Sequence, residues 1–426
     1  MSSSNPPRVD LNLRVRGLQP SATLAINERS ADLARAGGRV YRLGLGQSPF
    51  PVPESVVQAL RDHAAEKDYL PVRGLPALRE AVADYHAHVQ GCEVAPDGVL
   101  IGPGSKELMF LLQLVYYGDI LIPSPAWVSY APQARIVGRQ VEWLPTRREN
   151  EWRLTPDELA LVCAADPDRP RILVLNYPSN PTGVTYGADQ LAALAEVCRQ
   201  YRVVVLSDEI YGLVDHDGDH HSIAPYYPEA TIVSSGLSKW CGAGGWRLGT
   251  FAFPDGLRWL LDAMAAVASE TYTSVSAPIQ YAAVTAFLGN AEITDYLHRS
   301  RQVLRGLGPW CAAQLRAVGV DVVEPQGGFY LFPDFGPLRS WLEVSSSAQM
   351  VGKLLDDTGV AILAGSDFGR WPEELTARLA YVDFDGAAAL EATKDLDADA
   401  TPDEPWLRSW CAPVTEAIDR MCEWAS

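Results

Sequence analysis

An α/β fold, with a mostly parallel central sheet flanked by helices and a smaller α+β unit beside it, is what this 426-residue sequence predicts. Three observations carry the prediction. Short β-branched runs are apolar without interruption, as strands buried on both faces must be. They alternate with longer amphipathic stretches, which implies βαβ units. The small and chemically unusual residues follow the apolar runs, where parallel sheets place their ligands.

The elements follow in chain order. Met1 to Asp10 is polar and shows no secretory leader. Val99-Leu100-Ile101 reads as a strand that passes through Gly102-Pro103-Gly104 into a helix from Lys106. Asp119 to Ile122 ends at Pro123-Ser124-Pro125, and Arg171 to Leu175 ends at Asn176-Tyr177-Pro178. Ala188 to Tyr201 reads as a helix with Leu191, Leu194, Ala195 and Cys198 on one face. Val203 to Ser207 and Thr231 to Ser234 are further buried strands. Beyond residue 300 the pattern changes. A helix near Leu304 to Val318 precedes strand candidates at Val322-Val323, Gly327 to Phe332, Val360 to Leu363 and Arg378 to Val382. Residues 394–405 are acidic and contain proline, as an exposed loop would, and Trp406 to Trp424 reads as one closing helix.

Composition excludes several functions. Acidic residues number 53 against 35 basic ones, a net charge of −18. That disfavours nucleic-acid binding by bulk electrostatics and a polybasic membrane surface. The longest apolar run, Leu108 to Tyr117, is too short for a bilayer, which needs about 20 residues. Seven widely spaced cysteines without a CxxC motif suit reduced thiols in the cytoplasm rather than a metal cluster. The expectation is a cytoplasmic enzyme with no metal, no nucleic-acid partner and no membrane.

Four segments carry chemistry. Ser234 to Gly249 sets Lys239 after an apolar strand among small residues, with Arg247 eight positions on. A lysine in such a pocket can form a Schiff base with an aldehyde, and an arginine can grip a phosphate bidentately. A surface lysine on a Gly-rich loop reads equally well. Ser207-Asp208-Glu209-Ile210-Tyr211 ends another strand. There an acid can hold a protonated ring nitrogen, although strand-end Asp is also a common helix cap. Asn176 to Gly183 (NYPSNPTG) reads by itself as a tight turn. Gly102 to Glu107 opens a helix whose free N–H groups suit an anion, without the order of a Walker loop.

In order and spacing, these four segments together resemble the class I/II aminotransferases of fold-type I, which use pyridoxal 5′-phosphate (PLP). The resemblance runs from about Val15 to Tyr381. It implies a large PLP domain over 46–305, an N-terminal arm contributing to the small domain over 1–45, and a small C-terminal domain over 306–426. It implies that Lys239 forms the internal aldimine and shuttles the proton, that Asp208 pairs with the pyridine N–H, and that Tyr211 and Asn180 hydrogen-bond the ring oxygen. Gly104, Ser105 and Lys106 would offer backbone N–H groups to the phosphate, with Arg247 and Ser238 beside them. Trp127 would stack on the ring, and Arg378 would bind the substrate α-carboxylate. Gly46 would let the N-terminal loop cover the substrate. Tyr69 would reach the phosphate of a neighbouring subunit, which implies a homodimer with shared sites. The implied reaction moves an amino group between an α-amino acid and a 2-keto acid.

The chain also departs from the family pattern. Gly236 stands where many members have a phosphate-binding serine, with Ser235 and Ser238 nearby. The loop Gly46 to Pro51 is unusual, and the chain end is extended. These features keep a lyase or a β/γ-replacement enzyme of the same fold, acting on S-adenosylmethionine or a sulfur amino acid, as the alternative. A transcription-regulator module would need a DNA-binding domain and basic charge that the chain lacks. Asp215 to His221 (DHDGDHH) has the wrong order for a calcium loop and reads as a solvated turn.

Overall fold

Seven strands form the central sheet: β1 (Val99–Gly102), β2 (Asp119–Ser124), β3 (Val141–Pro145), β4 (Arg171–Asn176), β5 (Val204–Asp208), β6 (Thr231–Gly236) and β7 (Gly249–Ala252). The structure is a computed structural model describing residues 10–18, 22–35 and 37–426, so the polar start Met1 to Val9 lies outside the described residues. The spatial order is β1-β7-β6-β5-β4-β2-β3. All neighbouring pairs are parallel except those of β7, which runs antiparallel to both β1 and β6. The runs read as doubly buried strands are so: β1 and β5 are buried at every position, and β4 at all but Asn176.

Two strands escaped the sequence reading, for different reasons. Edge strand β3 (VEWLP) is half solvated and carries a charge, so it shows no unbroken apolar run. Strand β7 (GTFA) is short and begins with glycine.

Register places the site. Asn176 lies opposite Asp208, and Asp208 opposite Ser234, so three parallel strands end side by side. Gly249 faces Gly102 on one side and Gly236 on the other. That pairing sets the turn at Gly102-Pro103-Gly104, the arginine loop and the lysine loop next to one another.

Helix Ala188–Gln200 buries the face read from the sequence: Leu191, Leu194, Ala195 and Cys198. Each large apolar side chain buried there contributes about 1.5–3 kcal/mol. The helix expected near Leu304 begins earlier and spans Ala291–Ala317, started by an Asn290 side-chain cap on the Ile293 amide. The closing helix is two helices, Glu404–Trp410 and Ala412–Ala425. Pro413, which lacks an amide proton, falls in the first turn of the second. The acidic loop is mostly exposed yet pinned. Gln302 donates to the carbonyls of Asp397 and Ala400, and His298 contacts that of Ala398.

A second sheet, in the order β8-β10-β9, joins β8 (Tyr330–Leu331), β9 (Leu363–Ala364) and β10 (Ala377–Ala380), all antiparallel. The Val322-Val323 strand candidate is outside it, and only Asp321 bridges to Asp334. Tyr41 bridges to Val360, and the Ala380 amide donates to Leu43, so the N-terminal segment is woven into this smaller unit. The 215–221 turn is solvated only at its tip. Asp215 and His216 are buried, and Asp215 Oδ1 accepts from the amides of Asp217, Gly218 and Asp219. No helix is long and apolar enough to cross a membrane among the described residues.

Candidate active site

A cavity of ≈ 420 Å³ opens at the C-terminal ends of β4, β5 and β6. Of the residues singled out from the sequence, Ser105, Lys106, Trp127, Asn180, Asp208, Tyr211, Ser238, Lys239 and Arg247 line it. Gly46, Gly104 and Arg378 join through contacts to those side chains. Tyr69 does not; it is 90% exposed.

Lys239 follows β6 and donates from Nζ to the Gly46 carbonyl at 2.6 Å. Its ammonium lies 5.4 Å from the Tyr211 ring centre and 5.7 Å from that of Phe329. Asp208 ends β5, fully buried. Its Oδ2 accepts from the Tyr130 hydroxyl at 2.6 Å and its Oδ1 from Ser234 Oγ at 3.3 Å. Burial pushes this carboxyl up to about 6, against the pull of those donors and the Ile210 amide. Asn176 braces the neighbourhood: Nδ2 donates to the Asp208 carbonyl, and Oδ1 accepts from the Asn180 amide, both at 2.8 Å.

Arg378, on β10, is 2% exposed. It donates to Asn180 Oδ1 at 3.1 Å and to the Gly44 carbonyl at 2.5 Å, while Nε has no partner. Burial lowers its proton affinity, and Asp367 pulls the other way. Tyr211 and Tyr330 share a hydrogen bond of 2.8 Å between hydroxyls. Burial holds Tyr211 protonated, well above the usual tyrosine range.

Three cations, Lys106, Arg247 and Lys239, converge on the cavity. Burial lowers the proton affinity of Lys106, and the charges of Arg247 and Lys239 lower it further. Lys106 Nζ sits 4.9 Å from the Trp127 ring centre. Arg247 adopts φ 57, which turns its guanidinium back onto the Gly244 and Pro103 carbonyls. Gly104, at φ 92, lies so close that a Cβ there would overlap this guanidinium. The departure at Gly236 has a steric reason: a Cβ would meet the Leu248 carbonyl at 2.7 Å. Of its neighbours, Ser238 lines the cavity, whereas Ser235 is buried against Tyr85.

Sequence reasoning missed Tyr130, Asn176, Ile210 and Tyr330 as site residues. Asn176 was within the NYPSNPTG motif, and its strand-end place was the available signal. Tyr130 stands three residues after Trp127 on the edge of a helix, and Tyr330 is in an apolar strand; neither carries a local signature.

Residues 39–383 match the family model for aminotransferase class I and II. The chain belongs to this family. An aspartate aminotransferase of Geobacillus stearothermophilus is 34% identical over 377 residues, covering 86% of this chain and 93% of the relative. An aspartate/prephenate aminotransferase of Thermus thermophilus is 32% identical, covering 87% and 94%. The solved aspartate aminotransferase of Thermus thermophilus with maleate superposes with a TM-score of 0.83 at 29% identity, covering 98% of this chain and all of the other. This aminotransferase therefore has the fold-type I architecture expected from its motifs, and its cofactor is PLP. The relatives are aminotransferases, so transamination stands over the lyase or replacement alternative.

The residues present fit that cofactor. Asp208 is a buried carboxylate whose side-chain hydrogen bonds come from neutral donors, a setting that a protonated ring nitrogen complements. Lys106, Lys239 and Arg247 gather positive charge without a salt-bridged carboxylate among the described residues, as a phosphate requires.

Proposed function

We propose that Lys239 is the amine that carries the cofactor aldehyde and moves the substrate proton in this aminotransferase. The observation supporting it most is the convergence of Lys239, Asp208, Tyr211, Asn180 and Arg247 on one cavity. When bound, PLP supplies an aldehyde for amine exchange and an electron sink for a carbanion at the substrate Cα.

The chain's own residues do the rest. Asp208 holds the ring nitrogen protonated. Tyr211 and Asn180 offer donors to the ring oxygen; Asn180 Oδ1 is occupied by Arg378, which leaves Nδ2 for the cavity. Arg247, Ser105, Ser238 and the amides after Gly104 hold the phosphate, and Trp127 covers the ring face. Arg378 pairs with the substrate α-carboxylate, which would compensate its buried charge. Lys239 Nζ takes the proton from the substrate Cα and delivers it to the cofactor's aldehyde carbon, C4′, rather than back to Cα.

An acidic amino acid such as aspartate is the proposed donor substrate. The names of the relatives support it. We further propose a homodimer in which Tyr69 completes the partner's site; its exposure in the single chain supports this. The proposed division into 46–305 and 306–426 would place the boundary inside helix Ala291–Ala317, making that helix a shared spine. The free state of the seven cysteines supports residence in the cytoplasm.

A visible spectrum tests the reading. Protein loaded with PLP should show a band that Lys239→Ala abolishes, with activity lower by at least about a thousandfold. A retained band in Lys239→Ala would overturn it. Loaded enzyme given aspartate without a keto acid should yield one equivalent of pyridoxamine phosphate; turnover to a released leaving group would contradict transamination.

A further inference from the structure

Tyr330 has no role in the mechanism above. It is 1% exposed on β8, paired through Ala380 to the strand that carries Arg378. Its hydroxyl lies 2.8 Å from Tyr211 Oη and 3.4 Å from the Gly46 carbonyl. That same carbonyl takes Lys239 Nζ. The Arg378 guanidinium sits 4.9 Å from the centre of its ring. One phenol therefore adjoins the ring-oxygen tyrosine, the carbonyl that holds the lysine, and the carboxylate arginine.

We propose that Tyr330 is a positioning residue for transamination: its hydroxyl donates to Tyr211, so that the Tyr211 proton points to the cofactor's ring oxygen. The proposal rests on the role given to Tyr211 above. Proton counting sets the direction. Each phenol has one proton. If Tyr211 gave its proton to Tyr330, none would remain for the cavity. The other acceptor open to Tyr330, the Gly46 carbonyl, is at 3.4 Å, a long and weak contact, so the proton goes to Tyr211. A phenol that accepts one hydrogen bond donates a stronger one. The groups facing Tyr211 are Tyr330, Asp208, Arg378, Lys239 and Tyr130, and among the described residues only Tyr330 hydrogen-bonds its hydroxyl. A side chain at position 46 would overlap the Tyr330 hydroxyl, so glycine there keeps the relay in place.

The test is the pH midpoint of the visible band in enzyme loaded with PLP, compared for wild type, Tyr330→Phe and Tyr211→Phe. A donated hydrogen bond to the ring oxygen lowers this midpoint. Losing the Tyr330 donor should raise it by about half to one unit, less than Tyr211→Phe does. The phenylalanine keeps the ring beneath Arg378, so kcat should fall while KM for the amino acid holds. A purely structural role would lower the melting temperature and leave the midpoint in place. A shift in Tyr211→Phe with none in Tyr330→Phe overturns the proposal and spares the Tyr211 reading. No shift in either overturns the Tyr211 reading and the proposal with it. Should Tyr330→Phe fail to hold cofactor, Gly46→Ala decides, because it displaces the hydroxyl without removing it. Its midpoint should also rise, and an unchanged one overturns the proposal.

Discussion

Tyr130→Phe should make cofactor affinity strongly pH-dependent. The substitution keeps the ring that packs edge-on against Trp127 at 5.2 Å and removes only the hydroxyl that donates to Asp208 at 2.6 Å. That donor favours the ionised carboxylate, which burial has already pushed up to about 6. A hydrogen bond to a charged group is worth about 1.5–3 kcal/mol, or about one to two pKa units. Taking about 1.5 units moves Asp208 to about 7.5. The proposed ring contact needs the carboxylate ionised, so apparent dissociation scales with one plus the ratio of proton concentration to the acid constant. Relative to wild type, the variant should bind PLP about eightfold more weakly near pH 6.5 and about equally near pH 8.5. Equilibrium titration of apoprotein with PLP, followed by absorbance across that range, measures this. A weakening that is the same at both ends would refute the reasoning, since it would mean that the hydroxyl acts on shape and not on Asp208 ionisation.

Other perturbations separate stability from binding. Asp208→Asn should make the apoprotein more resistant to urea near pH 8, by up to about 3 kcal/mol, while PLP binding collapses. The sign follows from a carboxyl raised on folding: stability is lost as pH climbs from its unfolded value through about 6 and stays lost above. An apoprotein variant no more stable than wild type would count against the buried unpaired charge. Gly104→Ala, forced into φ 92 and into Arg247, should weaken PLP about tenfold yet leave unphosphorylated pyridoxal unaffected, by the same titration. Equal losses for both ligands would remove Gly104 from the phosphate site. Arg378→Leu should lower kcat/KM for the amino acid about a hundredfold through the lost bidentate pair, with PLP affinity retained. A change confined to PLP binding would place Arg378 elsewhere in the chemistry.

Most of the sheet was legible because doubly buried strands must be apolar at every position. Val203 to Ser207 and Arg171 to Leu175 announce themselves this way. Strand β3 did not, because one side of an edge strand needs no apolar residue and Trp143 and Glu142 look like loop. Helix ends were less legible than helix faces. The face of Ala188–Gln200 follows from spacing alone, whereas the start of Ala291–Ala317 depends on one asparagine cap.

By itself the sequence proposed which lysine, which acid and which arginine carry the chemistry, through four segments whose order and spacing together resemble one family. Tertiary structure decided what supports them. Tyr130 reaches Asp208 from 78 positions away, and Tyr330 reaches Tyr211 from 119. No local pattern marks such residues, since their hydrogen bonds exist only once strand register has brought the ends of β4, β5 and β6 side by side. The acidity of Asp208 was undetermined for the same reason. Burial sets it, and burial belongs to the folded chain.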